Sequence, residues 1–149
     1  MSPRTRRPVE TADAPRADGD AWAAAASAPD PRAAATALLR RSWDEARARA
    51  AAAHAADQGR TAGVGHIGGD GSGPADRMRR EGRWSATGEA IAYGSGRAED
   101  VILQLIVDDG VPDRGHRRIL FNPAYTLVGA ACAPHPVWRT VCVLDFARP

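Results

Sequence analysis

The sequence predicts an α+β or layered αβα domain. Three observations carry this. A helix signal with both start and stop precedes residue 60, a short alternating stretch stands at GEAIAYG, and β-branched and aromatic runs flank the turn APHP near the C-terminus. A chain of 149 residues suits one domain. Alanine supplies 32 of its residues, so large apolar side chains are scarcer than the 44% hydrophobic content suggests, and the core must be lean.

The elements follow in order. Residues 1–18 are rich in Pro, Arg, Asp and Ala without apolar periodicity, and are expected to form an unordered tail. Residues 19–149 then form the single domain. Its first part, 20–28 and 31–40, reads as Ala-rich helix broken by Pro29 and Pro31. Ser42 with Glu45 makes a capping box and Gly59 offers a stop, which predicts a helix over 43–58. The run GVGHIGGDGSG at 63–73 holds too many glycines for helix or strand and is a shaped loop. Pro74 and Gly82 bracket a short helix.

In GEAIAYG, Glu89, Ile91 and Tyr93 alternate with Ala90 and Ala92, so the strand places Glu89 on an apolar face. Residues 98–109 put Val101, Ile102, Leu105 and Ile106 on one helical stripe ending at Gly110. Asp113 is placed to cap a last helix over 114–120. The segments 126–133 and 137–146 form a hairpin.

Charge narrows the partners. All 20 basic residues are Arg, and the net charge of +2 sits in the first 16 residues, leaving the rest neutral. Nucleic acid is therefore not an expected partner of the domain, because duplex binding needs clustered uncompensated cations. No stretch approaches the roughly 18 apolar residues of a membrane span. Arg4, Arg6 and Arg7 ahead of AWAAAASA imitate a signal peptide, but Asp18 and Asp20 interrupt it, so a cleaved leader is not expected and a cytoplasmic location stays open. Cys132 and Cys142 are too few for a disulfide scaffold. They face each other if the hairpin centres on Val137; a buried thiol pair and a disulfide are both compatible with that spacing.

Four residues stand out chemically. Asp108 lies seven positions after Val101, about 20° round a helical wheel, and points inward. It sits with Asp109 at a helix C-terminus, where the macrodipole disfavours negative charge, so a cation, proton or metal must compensate. His66 lies in the glycine loop. His116 stands between Arg114 and Arg117, cations that favour an uncharged imidazole able to ligate a metal. Glu89 is the acid on the apolar strand face. By contrast His54, eleven residues after Trp43, falls on the apolar stripe of its helix as a core histidine or one backing the site, and His135 has no evident partner.

Several look-alike motifs fail. GVGHIG follows a helix stop rather than a strand, so it is no dinucleotide fingerprint. Asp70 and Glu81 have the end spacing of a calcium loop, but Ala75 occupies its glycine position. Ser72 and Ser95 lack the glycines of a nucleophile elbow.

Taken together, HIGGDGSGPADRM, GEAIAYG, AEDVILQLIVDDG, RGHRRILFNP and VGAAC...VCVLDFA resemble the CAP superfamily of cysteine-rich secretory, venom antigen and plant pathogenesis-related proteins, which has many bacterial members. The resemblance runs from Trp43 to Ala147. It implies a three-layer αβα sandwich with a central antiparallel sheet and an open cleft, in which two histidines and two acids meet and the histidines can hold a divalent metal. Residue by residue, it carries over His66, Glu89 and His116, with the second acid at Asp108, where the family usually has Glu, and Asp109 as a possible substitute. Ala90 replaces the usual Asn and Leu105 the frequent Trp. It also implies an extracellular location.

The expected function is a non-enzymatic module that binds a small or apolar ligand, such as a lipid, or a protein partner, with zinc or another divalent cation weakly held by His66 and His116. One alternative is a metal-dependent hydrolase, peptidase or esterase, with Glu89 as general base. Another is a structural or interaction domain whose Arg-bearing tail engages an acidic partner.

Overall fold

A computed structural model describes residues 10–11 and 41–149. The helices expected over 20–28 and 31–40 lie outside the described residues, as does most of the 1–18 tail. Within that tail Glu10–Thr11 form a short strand, β1, rather than unordered chain. The remaining elements are β2 (Ser42–Trp43), α1 (Glu45–Thr61), α2 (Pro74–Glu81), β3 (Ala86–Tyr93), α3 (Ala98–Val107), α4 (Gly115–Phe121), β4 (Leu127–His135) and β5 (Arg139–Arg148).

The strands form one sheet in the order β1-β3-β5-β4-β2. Its three long strands are antiparallel neighbours, and β1 adds antiparallel to β3; only β2 joins in parallel, beside β4. Strand alternation sorts the core into two clusters. Ile91, Tyr93, Val141 and Val143 pack against Ala51 and Ala55 of α1. Ala90, Ala92, Leu144 and Phe146 pack on the other face against Val101, Leu105, Ile119 and Leu120 of α3 and α4. The expected three layers are thus present, with helices covering both faces of a largely antiparallel sheet.

Helix α1 begins later than expected. Asp44 is its N-cap, accepting from the Arg47 N–H at 2.8 Å, while Ser42 and Trp43 are drawn into β2. Trp43 is 56% exposed, so it does not anchor the buried stripe. That stripe is made of Ala50, Ala51, His54 and Ala55. Small side chains let the helix lie close to the sheet, and two glycines mark how close. A Cβ at Gly59 would come within 2.5 Å of the Pro134 carbonyl oxygen, and one at Gly129 within 2.1 Å of the Ala48 nitrogen. Gly59 therefore serves packing rather than helix termination; the helix continues to Thr61 and ends at Ala62 with φ of 57°.

The hairpin register pairs Cys132 with Cys142, and the two are joined by a disulfide. Burying Tyr93, Val143 and Phe146 from the flanking positions sets that register, since a slip of one residue would turn each side chain to the opposite face. Reduction is expected to cost about 2–3 kcal/mol, because the bridge closes a short loop. The check is the urea midpoint with and without reductant, which should leave a Cys132→Ala/Cys142→Ala variant unmoved.

Candidate functional site

The site is built around Glu89, which strand alternation places on the α1 face of the sheet beside Ile91 and Tyr93. It is fully buried. Oε1 lies 2.7 Å from His66 Nδ1, and Oε2 accepts from Arg77 Nη2 at 2.8 Å. Arg77, buried on α2, also donates from Nη1 to the Ser72 carbonyl at 2.8 Å. Burial pushes the Glu89 carboxyl up, but the His66 hydrogen bond and the Arg77 charge outweigh it and hold the group below its ordinary value of 4.5.

His66 is positioned by the glycine loop, which is tied at several points. Gly65 N–H donates to Tyr93 Oη at 2.9 Å, and Tyr93 donates onward to Gln58 Oε1 at 2.8 Å. The Gly65 carbonyl accepts from His54 Nε2 at 2.8 Å and also from Gln58. His135, which had no evident partner, accepts the Val137 and Trp138 N–H groups at Nδ1 and so donates from Nε2 to the Gly63 carbonyl at 2.8 Å. His54 is thus a core histidine that backs the loop; burial lowers its pKa, favouring the neutral ring.

The second pair belongs to the α3–α4 layer. Asp108 is the C-cap of α3, with φ of 53°, and is fully buried. Its Oδ1 lies 2.7 Å from His116 Nδ1, while Oδ2 accepts the backbone N–H of His116 at 3.0 Å and of Arg117 at 3.3 Å. The acid that looked misplaced at one helix C-terminus therefore serves the N-terminus of the next, whose first N–H groups have no intrahelical acceptor. Asp113 does not cap α4, whose N-cap is Arg114 without a side-chain cap bond. Arg117 and Arg114 instead donate to the Ile106 and Val107 carbonyls at the end of α3. Asp109 is exposed, and the inward position belongs to Asp108.

The structure thus brings His66 to Glu89 and His116 to Asp108, each acid taking one imidazole. Among the described residues no group of three or more His, Cys, Asp or Glu side chains is placed to hold a metal ion. Two further members of the site escaped the sequence: Arg77, and Asp145, which faces Glu89 in the β3–β5 register. The signal for Asp145 was present, because Val141, Val143 and Asp145 alternate onto one buried face.

Asp145 is fully buried and neither of its oxygens has a hydrogen-bond donor. Burial, then the Glu89 charge, raises its carboxyl well above the ordinary value of 3.8. Between 3.8 and the raised value the unfolded chain binds fewer protons than the folded one, so this group makes stability fall as pH rises. Asp145→Asn is expected to raise stability at neutral pH, with a gain over wild type that grows as pH climbs above 3.8 and levels off past the raised value. Urea titrations across pH read it; a gain that shrinks with rising pH would contradict the assignment.

A groove of about 460 Å³ opens beside this network, between α1, loop 68–72 and α2, and shares His54 and Arg77 with it.

Fold and site together define a three-layer domain with a histidine–carboxylate pair in each of two layers. The sequence matches the model of the CAP (cysteine-rich secretory protein) family over residues 9–146, and the chain belongs to that family. No curated protein matches it closely. Among solved structures, it resembles an extracellular protein containing an SCP domain from Bacillus anthracis (22% identity, TM-score 0.61, covering 73% of this chain and 34% of that one). It also resembles an outer surface protein from Borrelia burgdorferi (18% identity, TM-score 0.63, covering 78% and 89%). The match spans about a third of the Bacillus protein's length, and at these identities the likeness establishes the fold.

Proposed function

We propose that the domain is a CAP recognition module working outside the cytoplasm, holding a small or apolar ligand or a protein partner at the His66 loop rather than hydrolysing a substrate. The observation that carries this is the Glu89–Arg77 ion pair. A general base is most effective with a pKa near the working pH, whereas Glu89 is held low by His66 and Arg77 and committed to both. The loop itself suits apolar recognition: Val64 and Ile67, on either side of His66, are 46% and 64% exposed. The disulfide fits an oxidising compartment, and the printed descriptions of both structural neighbours place those proteins outside the cell.

A divalent cation fits only partly. Glu89 and Asp108 occupy Nδ1 of each ring, the usual way a carboxylate orients a metal-binding imidazole through its other nitrogen. His66 Nε2 is buried without a partner and is the atom that would meet a metal or a ligand's donor. A bound ion would add a Lewis acid there, but the described residues do not complete its ligand set, and the Glu89 charge is already balanced by Arg77. Chelator is therefore expected to leave the melting temperature unchanged to within about 1 °C. Zinc-loaded protein is expected to turn over no member of a peptide and ester panel. Turnover abolished by Glu89→Gln would overturn this reading in favour of the hydrolase.

A further inference from the structure

We propose that the β4–β5 turn, residues 136–139, together with the adjoining start of the His66 loop, docks on the surface of a bilayer that contains anionic phospholipid. Val137 at the tip of the turn is 64% exposed, Pro136 beside it is exposed, and Trp138 is only partly buried. Arg139 is exposed, and its guanidinium makes no hydrogen bond or ion pair among the described residues. Its φ is 71°, a conformation that glycine adopts freely and a residue with a side chain adopts at a cost. Among the described residues nothing uses the side chain that this cost retains.

The turn is also held in place. The Val137 and Trp138 N–H groups each donate to His135 Nδ1 at 3.2 Å, and His135 Nε2 donates to the Gly63 carbonyl at 2.8 Å. That last bond sets the turn against the start of the His66 loop, where exposed Val64 stands between the anchored Gly63 and Gly65. Neither 61–69 nor 134–143 contains an acidic residue. An aliphatic tip, a partly buried indole and an uncompensated guanidinium match a headgroup layer: the first enters the acyl boundary, the second sits at the interface and the third meets the phosphates. Other occupants fit less well. A second copy or a protein partner needs roughly 800 Å² from this chain, far more than the exposed parts of Val64 and Val137 supply. The chain's own residues 12–40 leave from the other end of the sheet: β1 runs away from the turn, and Arg41 donates to the Tyr125 and Asn122 carbonyls just before β4. The proposal rests on the reading above for the location outside the cytoplasm and adds the chemistry of the partner.

The test is cosedimentation of the full chain with phosphatidylcholine vesicles, with and without about 30% phosphatidylglycerol. Binding to the anionic vesicles that weakens with added salt is expected, with much less to the neutral ones. Arg139→Gly should weaken it about fivefold, and glycine suits the backbone there, so the fold is kept. Val137→Ser, at an exposed position, should weaken it about tenfold. No binding to anionic vesicles would overturn the proposal, as would equal binding to both vesicle types or binding undiminished in either turn variant. Binding lost in Ile67→Ser but kept in both turn variants would place the lipid contact at the loop alone, overturning the role of the turn and leaving the reading above intact. Self-association in sedimentation velocity that Val137→Ser abolishes, without vesicle binding, would make the turn an interface between copies and overturn the proposal equally. The reading above fails instead on turnover by the zinc-loaded protein, so the two failures are distinct.

Discussion

Arg77→Met is expected to lower stability by about 3–5 kcal/mol at neutral pH, the usual cost of leaving one member of a buried ion pair uncompensated. Glu89 has no exposed surface, and Arg77 is its only guanidinium partner among the described residues. Without Arg77, the Glu89 carboxylate keeps only His66 and the Asp145 carboxyl that faces it across the strand pair. A carboxyl beside another carboxyl in a buried site will take up a proton, so the loss should be smaller in acid than at neutrality. Glu89→Gln in the same chain should recover much of it, and that double variant separates loss of charge balance from loss of Arg77 packing. Urea denaturation of the two single variants and the double measures all three. A cost below about 1 kcal/mol for Arg77→Met would mean that the pair contributes no more than a surface salt bridge.

Gly129→Ala is expected to cost about 3 kcal/mol or more, at or beyond the upper end for an overpacked core. The added carbon would lie 2.1 Å from the Ala48 nitrogen and 2.4 Å from the Arg47 carbonyl carbon. Both are backbone atoms of α1, so no side-chain rotation relieves the clash and the helix must move off β4. That movement would strip cover from Ala51, Ala55, Ile91 and Val143 and shift His54 and Gln58 away from the Gly65 carbonyl. Gly73→Ala is the comparison without a backbone clash, since its Cβ would meet only Asp76 at 3.7 Å, and it should cost no more than about 1 kcal/mol, the loss of a glycine N-cap to alanine. A melting temperature for Gly129→Ala equal to that of Gly73→Ala would contradict the close approach of helix and sheet.

Much of the site was legible because three of its residues violate a local expectation. Glu89 interrupts an apolar alternation, Asp108 opposes the dipole of its own helix, and His66 occupies a loop whose glycines have little use in regular structure. These are local conflicts, and a sequence displays them. Arg77 displayed none: it sits among other arginines in RMRRE, a run that reads as a solvated face. Only the docking of α2 against β3 shows that Arg77 alone of these is buried against the sheet. Asp145 was legible in principle, through the Val141, Val143, Asp145 alternation, but the strand pairing is needed to show that it faces another carboxylate.

The helix boundaries show the same division. The helix over residues 43–58 was evident from local propensity, and helix formation there is a local matter of capping and alanine content. Its true start at Glu45 was set by β4, which takes Ser42 and Trp43 into a parallel pairing. Gly59 has the composition of a stop signal and is instead a contact surface for Pro134.

By itself the sequence determined the order of helices and strands, the layered class, the resemblance to the CAP family and the identity of two acids and two histidines, all properties of residues close in the chain. The tertiary structure alone decided which acid takes which imidazole, that Cys132 and Cys142 are joined, and that Arg77 and Asp145 complete the buried network around Glu89. The physical reason is range. Capping, periodicity and dipole effects act within a few residues, whereas hydrogen bonds and charge compensation in a core act between side chains that only strand register and helix docking bring within about 3 Å.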